Sequence, residues 1–397
     1  MAIEICTPTE EDVEELFRVD GRAFGWVPKP EDIAERRGTL ELARFRVAVD
    51  GKQIVGISGA YTLDLTLPGG GTVPASGVTW VGVAATHRRL GIMSRMLEAL
   101  HHDAADRGEP VAILTASESG IYGRFGYGVA SHFRTALITK SQATFRPGTP
   151  GRGPVRYSAS TDELLAHVPA LYDRYRVTSP GEISRNENIW RLIFALRAKG
   201  MDELSATFWL LHADGYACYR VQDRWNDGHP AHRIEVTEFV ALTDAARGAL
   251  WRTILSLDLA GEISTRTLAL DDPLGLWLSE PRAIRTSTYN DWMWVKPLDI
   301  ATLLKARTYG ADGRLVVEVG QARYAVEATD GRATVTKVRS KPDVTTDDAG
   351  LGALLLGGVR VSTLARAGRL HQRDAAALRR ADAMFAGDRL PLSQTPF

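Results

Sequence analysis

One stretch constrains this chain more than any other: Val78 to Met96, which places a strand, a basic loop and a helix in succession. Val78, Thr79, Trp80, Val81 and Val83 are β-branched or aromatic and predict a buried strand. Further on, Ile92, Met93, Met96, Leu97, Leu100 and Ala104 recur at spacings of three and four, which lays one apolar helix face against a sheet. The junction reads Arg88-Arg89-Leu90-Gly91-Ile92-Met93. A helix start carries unpaired N–H groups and the positive end of a dipole. Gly91 permits close backbone approach, and the two arginines add fixed positive charge. These features together predict a cradle for a pyrophosphate.

Around this stretch the sequence predicts a layered α+β domain. A strand over Ala2 to Cys6 precedes a helix that starts at Thr9 and Asp12 and carries Val13, Leu16 and Phe17; a second helix follows Pro30. Phe45 to Val49 and Gln53 to Leu65 flank an Asp50-Gly51 turn, a hairpin signal. A strand over Val111 to Thr115 leads into Ser117 to Gly128, where glycines alternate with aromatics, the mark of a constrained backbone beside a ligand. The domain spans residues 1–142 and ends ahead of a Pro- and Gly-rich linker over Pro147 to Pro154. Residues 143–290 repeat the plan, but Thr243-Asp244 stands where the first copy has its paired arginines, so this copy is read as degenerate. Residues 291–397 form a third α/β segment whose tail, with Leu390, Leu392 and Phe397, is apolar enough to dock.

Composition excludes several classes. Lys and Arg total 48 against 48 Asp and Glu, so no global charge favours nucleic acid or an anionic membrane. Two cysteines, Cys6 and Cys218, are too few for a disulfide framework and indicate a reducing compartment. The acidic N-terminal stretch has no apolar leader-like run. Leu351 to Val359 is too short to span a bilayer, so a cytoplasmic protein is expected. His101-His102, on the exposed side of the helix, lacks the spacing of a metal motif, so no metal is expected. Tyr122 by itself reads as a turn aromatic packing on Phe125, with Tyr127 as its neighbouring competitor.

The Arg88-Arg89-Leu90-Gly91-Ile92 element resembles the acetyl-CoA signature of the GNAT acyltransferases. Joined to the Gly120 to Gly128 loop, the degenerate second copy and the terminal Phe397, the whole chain resembles the enhanced intracellular survival (Eis) family of N-acetyltransferases. The resemblance implies two tandem GNAT-like domains followed by a sterol-carrier-protein-like domain, usually assembled as a homohexamer. It implies acetyl transfer from acetyl-CoA to a primary amine: an aminoglycoside, a small aralkyl amine or a lysine side chain. Val81, Gly82 and Val83 would meet the pantetheine. Arg88, Arg89, Leu90, Gly91, Ile92, Met93 and Ser94 would hold the pyrophosphate, and Ser117 and Glu118 would border the cofactor's other side. Tyr122 would be the general acid and the α-carboxylate of Phe397 the general base, while Phe24 and Trp26 would line the acceptor side. Pro396 and Gly25-Trp26-Val27 stand where aminoglycoside-modifying members carry acidic residues, so a smaller or more aromatic amine is expected. A lipid-carrier-like or acyl-CoA-responsive binding protein without turnover is the alternative.

Overall fold

The computed structural model describes residues 3–158, 160–200 and 203–397. Its first elements are β1 (Glu4–Cys6), α1 (Val13–Phe24), α2 (Pro30–Arg36), β2 (Arg46–Asp50), β3 (Gln53–Thr66), β4 (Thr72–Val83), α3 (Ile92–Asp106), β5 (Val111–Thr115), β6 (Gly128–Val129) and β7 (His132–Thr139). Ala2, expected in the first strand, lies outside the described residues. There follow β8 (Arg156–Ser158), α4 (Thr161–Arg176), α5 (Glu187–Ala198), β9 (Phe208–His212), β10 (Gly215–Gln222), a small hairpin of β11 (Trp225–Asn226) and β12 (His229–Pro230), β13 (His232–Ala241), α6 (Asp244–Leu255), β14 (Ala260–Thr265), α7 (Leu274–Trp277) and β15 (Ile284–Asp291). The remainder is β16 (Met293–Pro297), α8 (Ile300–Ala306), β17 (Gly313–Val319), β18 (Ala322–Thr329), β19 (Arg332–Lys337), β20 (Val344–Thr346), α9 (Asp348–Leu355), α10 (Val361–Arg366), β21 (Leu370–Gln372) and α11 (Ala375–Phe385).

Two seven-stranded sheets follow one plan, with orders β1-β2-β3-β4-β5-β16-β6 and β8-β9-β10-β13-β14-β7-β15. In each, the sixth strand is supplied from outside the stretch that builds the other central strands. β16 pairs antiparallel with β5, Met293 opposite Thr115, and β7 pairs with β14 and β15. The chain accordingly divides into two compact units, one of residues up to Ser131 with 292–388 and 395–397, the other of 132–291 with 389–394. Sheet membership likewise divides the chain near 131 and 292.

The third sheet, β19-β18-β17-β20-β21, belongs to the first unit. Its helix α9 lies directly on β16 and β6: a Cβ on Gly128 would collide with the Ala349 carbonyl, and one on Gly352 with the Val295 carbonyl. Leu351 and Leu354 join Val317, Val326 and Phe385 in a filled core. Buried Arg307 donates to the carbonyls of Leu354 (3.0 Å), Leu355 (2.9 Å) and Phe385 (2.8 Å), so it caps the ends of α9 and α11 together.

Candidate active site

β4 is where the first unit opens. It pairs with parallel β5 only from Ala75–Val111 to Gly77–Ile113, while its ladder with β3 runs on to Val83–Gly56. Beyond Gly77 the edge of β4 that faced β5 is left without a strand partner. The β3 register shifts between Ile57 and Gly59, which places one extra residue in β4 at Trp80–Val81. Trp80 adopts a left-handed φ of 55° there, and its ring packs edge-on against Phe17 at 4.9 Å and Phe45 at 5.8 Å. A bulge of this kind bends a strand and re-aims its groups. Val81 and Val83 are half-buried, and Gly82 is buried with no room for a side chain, since a Cβ would lie 2.7 Å from that of Ala23.

The loop from β4 into α3 carries the predicted cradle. Arg89 (φ 66°) and Gly91 (φ 74°) are both left-handed, which turns the intervening peptides toward one side. Gly91 is the N-cap of α3 and no side chain caps the helix. The i to i−4 amide bonding opens with Arg95 N–H to Gly91 O at 3.2 Å, so the Ile92, Met93 and Ser94 amides lie in the unpaired first turn. Arg88, Arg89, Leu90, Gly91 and Ser94 are exposed, and among the described residues neither Arg88 nor Arg89 has an acidic partner. Ile92 and Met96 are buried against Ala48 and Val55, so the side chain of Ile92 is core and only its backbone faces a ligand. His87 braces the loop from behind, 3.3 Å from Asp50 and 2.8 Å from Thr86. An uncapped helix start, two fixed cations and a free strand edge form a donor set that fits a pyrophosphate with its attached chain.

Past β5, Ser117 and Glu118 are exposed and Tyr122 is buried. Tyr122 packs in one cluster with Val78, Leu97, Leu114 and Trp294, against which Val81 and Met93 also rest. Burial raises its pKa above the usual tyrosine value, and the Glu118 carboxylate adds to the rise. Among the described residues its hydroxyl has no partner. Tyr127 differs: its hydroxyl lies 2.9 Å from His101 Nε2, and full burial pushes its pKa far up. His101 is thus half-buried, not on the exposed side of α3 as the sequence implied, and burial with nearby Lys296 lowers its pKa to about 4. A cavity of about 370 Å³ beside it is lined by Ser94, Glu98, His101, His102 and Phe125.

The chain terminus reaches the same opening. The Phe397 carboxylate accepts a hydrogen bond from Thr115 Oγ1 at 3.2 Å, two residues past the last β4–β5 pair. Its ring lies over β4 at Gly77, where a Cβ would stand 3.3 Å from it. Thr115 and Gly77 were not singled out from sequence; a glycine inside a strand pattern was the available signal. At the end of α1, Gly25 is left-handed and Trp26 N–H returns to Gly21 O at 2.9 Å. That turn lets the Trp26 indole donate to buried Asp20 at 3.0 Å, while Phe24 stays half exposed.

A GNAT acetyltransferase domain model matches residues 4–130 and a second one residues 181–298, followed by a sterol carrier protein domain over 300–393. The chain is 37% identical to N-acetyltransferase Eis of Mycobacterium tuberculosis over 98% of both chains. The chain belongs to the Eis family of N-acetyltransferases. The family fold extends over its whole length: the crystal structure of Eis1 from Mycobacterium abscessus superposes with a TM-score of 0.89 at 33% identity, covering 100% of both chains. An uncharacterised N-acetyltransferase of Streptomyces griseus is 32% identical over 98% of this chain and 99% of its own. This Eis-family chain is therefore an acetyltransferase enzyme built of two GNAT domains and a sterol-carrier domain. No helix among the described residues is long and apolar enough to cross a membrane.

Within the Eis-family fold, the second copy keeps the strand plan but closes the corresponding helix start. Thr243 caps α6, its hydroxyl accepting from Ala246 N–H at 3.1 Å, and Asp244 occupies the first turn. The linker backbone runs against that helix. Arg252 donates to the Thr149 carbonyl at 2.9 Å, and a Cβ on Gly248 would strike the Pro150 carbonyl. Glu238 is a buried charge of this copy, and burial alone would raise its pKa. Arg185 at 2.8 Å, Arg197 and Tyr216 instead hold it down to about 2.

Proposed function

We propose that the first GNAT copy binds acetyl-CoA along the free edge of β4, with the pyrophosphate on the α3 start, and transfers its acetyl group to a primary amine of a small molecule or a lysine side chain. Acetyl-CoA supplies an activated thioester. Val81, Gly82 and Val83 would present edge groups to the pantetheine, and the Arg89 to Ser94 amides with Arg88 and Arg89 would hold the diphosphate. Ser117 and Glu118 border the opposite side. The new C–N bond forms as the C–S bond breaks; nitrogen loses one proton and sulfur gains one.

Tyr122 is assigned the donor at sulfur. Its raised pKa keeps the phenol protonated at neutral pH. Full transfer from a phenol near 10 to a thiolate near 8.5 is uphill by roughly 2 kcal/mol, so its contribution grows as charge develops on sulfur. The Phe397 carboxylate is assigned the acceptor of the amine proton. An ordinary carboxyl near 3.5 against an alkylammonium near 10.4 makes direct deprotonation steep. The same group therefore also attracts and orients the cationic amine before chemistry begins.

The observation that carries this reading is the hydrogen bond from Thr115 to the terminal carboxylate beside the strand opening. For the acceptor, Phe24 and Trp26 offer an aromatic wall, and Asp20 is already engaged by the Trp26 indole, with burial raising its pKa above the usual carboxylate value. That chemistry favours a compact aralkyl amine over a polycationic aminoglycoside. Release of free thiol from acetyl-CoA, measured against a panel of both amine classes, tests it; equal kcat/KM on the two classes refutes the preference. The family's hexameric assembly is carried as part of the same proposal and is read directly by light scattering.

A further inference from the structure

Tyr127 lies five residues beyond the assigned donor and is the more deeply buried of the two phenols. Gly126, left-handed at φ 87°, ends the short turn Tyr122–Phe125, and the Tyr127 N–H returns to the Tyr122 carbonyl at 3.3 Å. The two rings meet edge to face, 6.0 Å between centroids and 74° between planes. On its other side the Tyr127 ring lies 5.6 Å from the His101 imidazole, and its hydroxyl is 2.9 Å from His101 Nε2. With its pKa lowered to about 4, His101 is neutral at pH 7 and joins that hydroxyl as donor or acceptor according to its tautomer. Tyr127 thus spans from α3 to the loop that carries Tyr122, inside one cluster that also holds Leu97, Leu114 and Trp294.

The Tyr122 hydroxyl makes no hydrogen bond to a described residue, so the reactive end of this side chain does not fix its own place. Its location is set by its backbone and by what packs against its ring. Tyr127 touches both, through its N–H and its ring, and is itself tied to a helix at its far end. A buried hydroxyl bonded to an imidazole resists displacement, because moving the ring leaves a polar group unpaired. A donor to a developing charge loses effect steeply when it is misplaced. We propose that Tyr127 and His101 are positioning residues for Tyr122: the bond between them fixes the Tyr127 ring, and that ring holds the Tyr122 phenol where it donates to the leaving sulfur. This rests on the assignment of Tyr122 as that donor.

The test uses the full-length protein with acetyl-CoA and the best acceptor of the amine panel, read by thiol release. Tyr127→Phe keeps the ring and removes the hydroxyl. His101→Leu removes the imidazole, and Tyr127→Phe stands alone where that variant does not fold. Each is expected to lower kcat about fivefold with the KM for acetyl-CoA within twofold of the parent. His101→Gln, which retains a side-chain partner for the hydroxyl, is expected to hold kcat within twofold; a His101→Gln chain as slow as His101→Leu overturns the pairing. In a Tyr122→Phe chain, Tyr127→Phe should cost nothing further. If Tyr122→Phe lowers kcat and Tyr127→Phe leaves it at the parent value, the positioning role is overturned while the donor assignment stands. The role is also overturned if Tyr127→Phe costs as much kcat in the Tyr122→Phe chain as in the parent, or if it raises the acetyl-CoA KM with kcat unchanged. If Tyr122→Phe leaves kcat at the parent value, the donor assignment falls and the positioning role falls with it.

Discussion

The helices α3 and α6 occupy the same place in two copies of one plan, and their first turns differ in every property that matters to an anion. α3 begins at a left-handed glycine with no side-chain cap, preceded by two arginines that have no acidic partner among the described residues. α6 begins at Thr243, whose hydroxyl satisfies the Ala246 amide, and carries Asp244 where a phosphate would sit. A cap and a bound anion compete for the same N–H groups, so a helix start optimised for stability is a poor cradle. The duplicated fold thus leaves one helix end open to an anion and uses the other to hold itself together.

The comparison breaks first if the chemistry does not depend on what the first copy alone carries beside its cradle. Tyr122→Phe removes the hydroxyl donor while keeping the packed ring, and should lower kcat about a hundredfold with little change in the acetyl-CoA KM, read by thiol release. Because burial and Glu118 raise this phenol's pKa, the alkaline fall in kcat of the parent should lie above pH 10.

The outer halves of the two helices differ as well. α3 carries titratable His101 against Tyr127, whereas α6 carries Trp251 stacked on Phe239 at 4.7 Å. With His101 lowered to about 4 in the folded state, the unfolded chain takes up its proton first as pH falls. Stability from this group is complete above about pH 6.5 and is lost between there and pH 4, by about 3 kcal/mol. Urea unfolding at pH 7 and pH 5 should show the loss, and His101→Gln should flatten it.

Converting one helix start toward the other sharpens the contrast. Gly91→Thr gives α3 the cap residue of α6 at a left-handed position and should raise the acetyl-CoA KM about tenfold, as followed by saturation kinetics. The reverse change is the mildest. Thr243→Ala should cost about 1 kcal/mol in thermal unfolding and leave the acetyl-CoA KM alone.

Local chemistry made much of the first copy legible. The Asp50-Gly51 turn, the apolar face of α3 and the glycine at its start follow from periodicity and turn residues, and they stand where the sequence placed them. The exchanged strands were not legible. Nothing in the sequence of β7 and β16 says which sheet they join; that choice is made by partners more than a hundred residues away. Thr115 is an ordinary residue in sequence, and its interest comes from the distant tail residue it meets. The apolar tail marks Phe397 as a docking residue, but a role for its carboxylate comes only through a family likeness, since a terminal carboxylate has no local pattern.

The exchange of β16 also sets a timetable. β5 leaves the ribosome about 180 residues before the strand that covers its outer edge. At roughly 5 to 20 residues per second, that edge waits on the order of 10 to 35 s for its neighbour. Through that interval the nascent first sheet carries an open hydrogen-bonding rim, the template on which foreign strands add. Synthesis, and not only the finished fold, is thus exposed to this topology: a ribosome stalled anywhere before residue 293 holds a half-closed sheet.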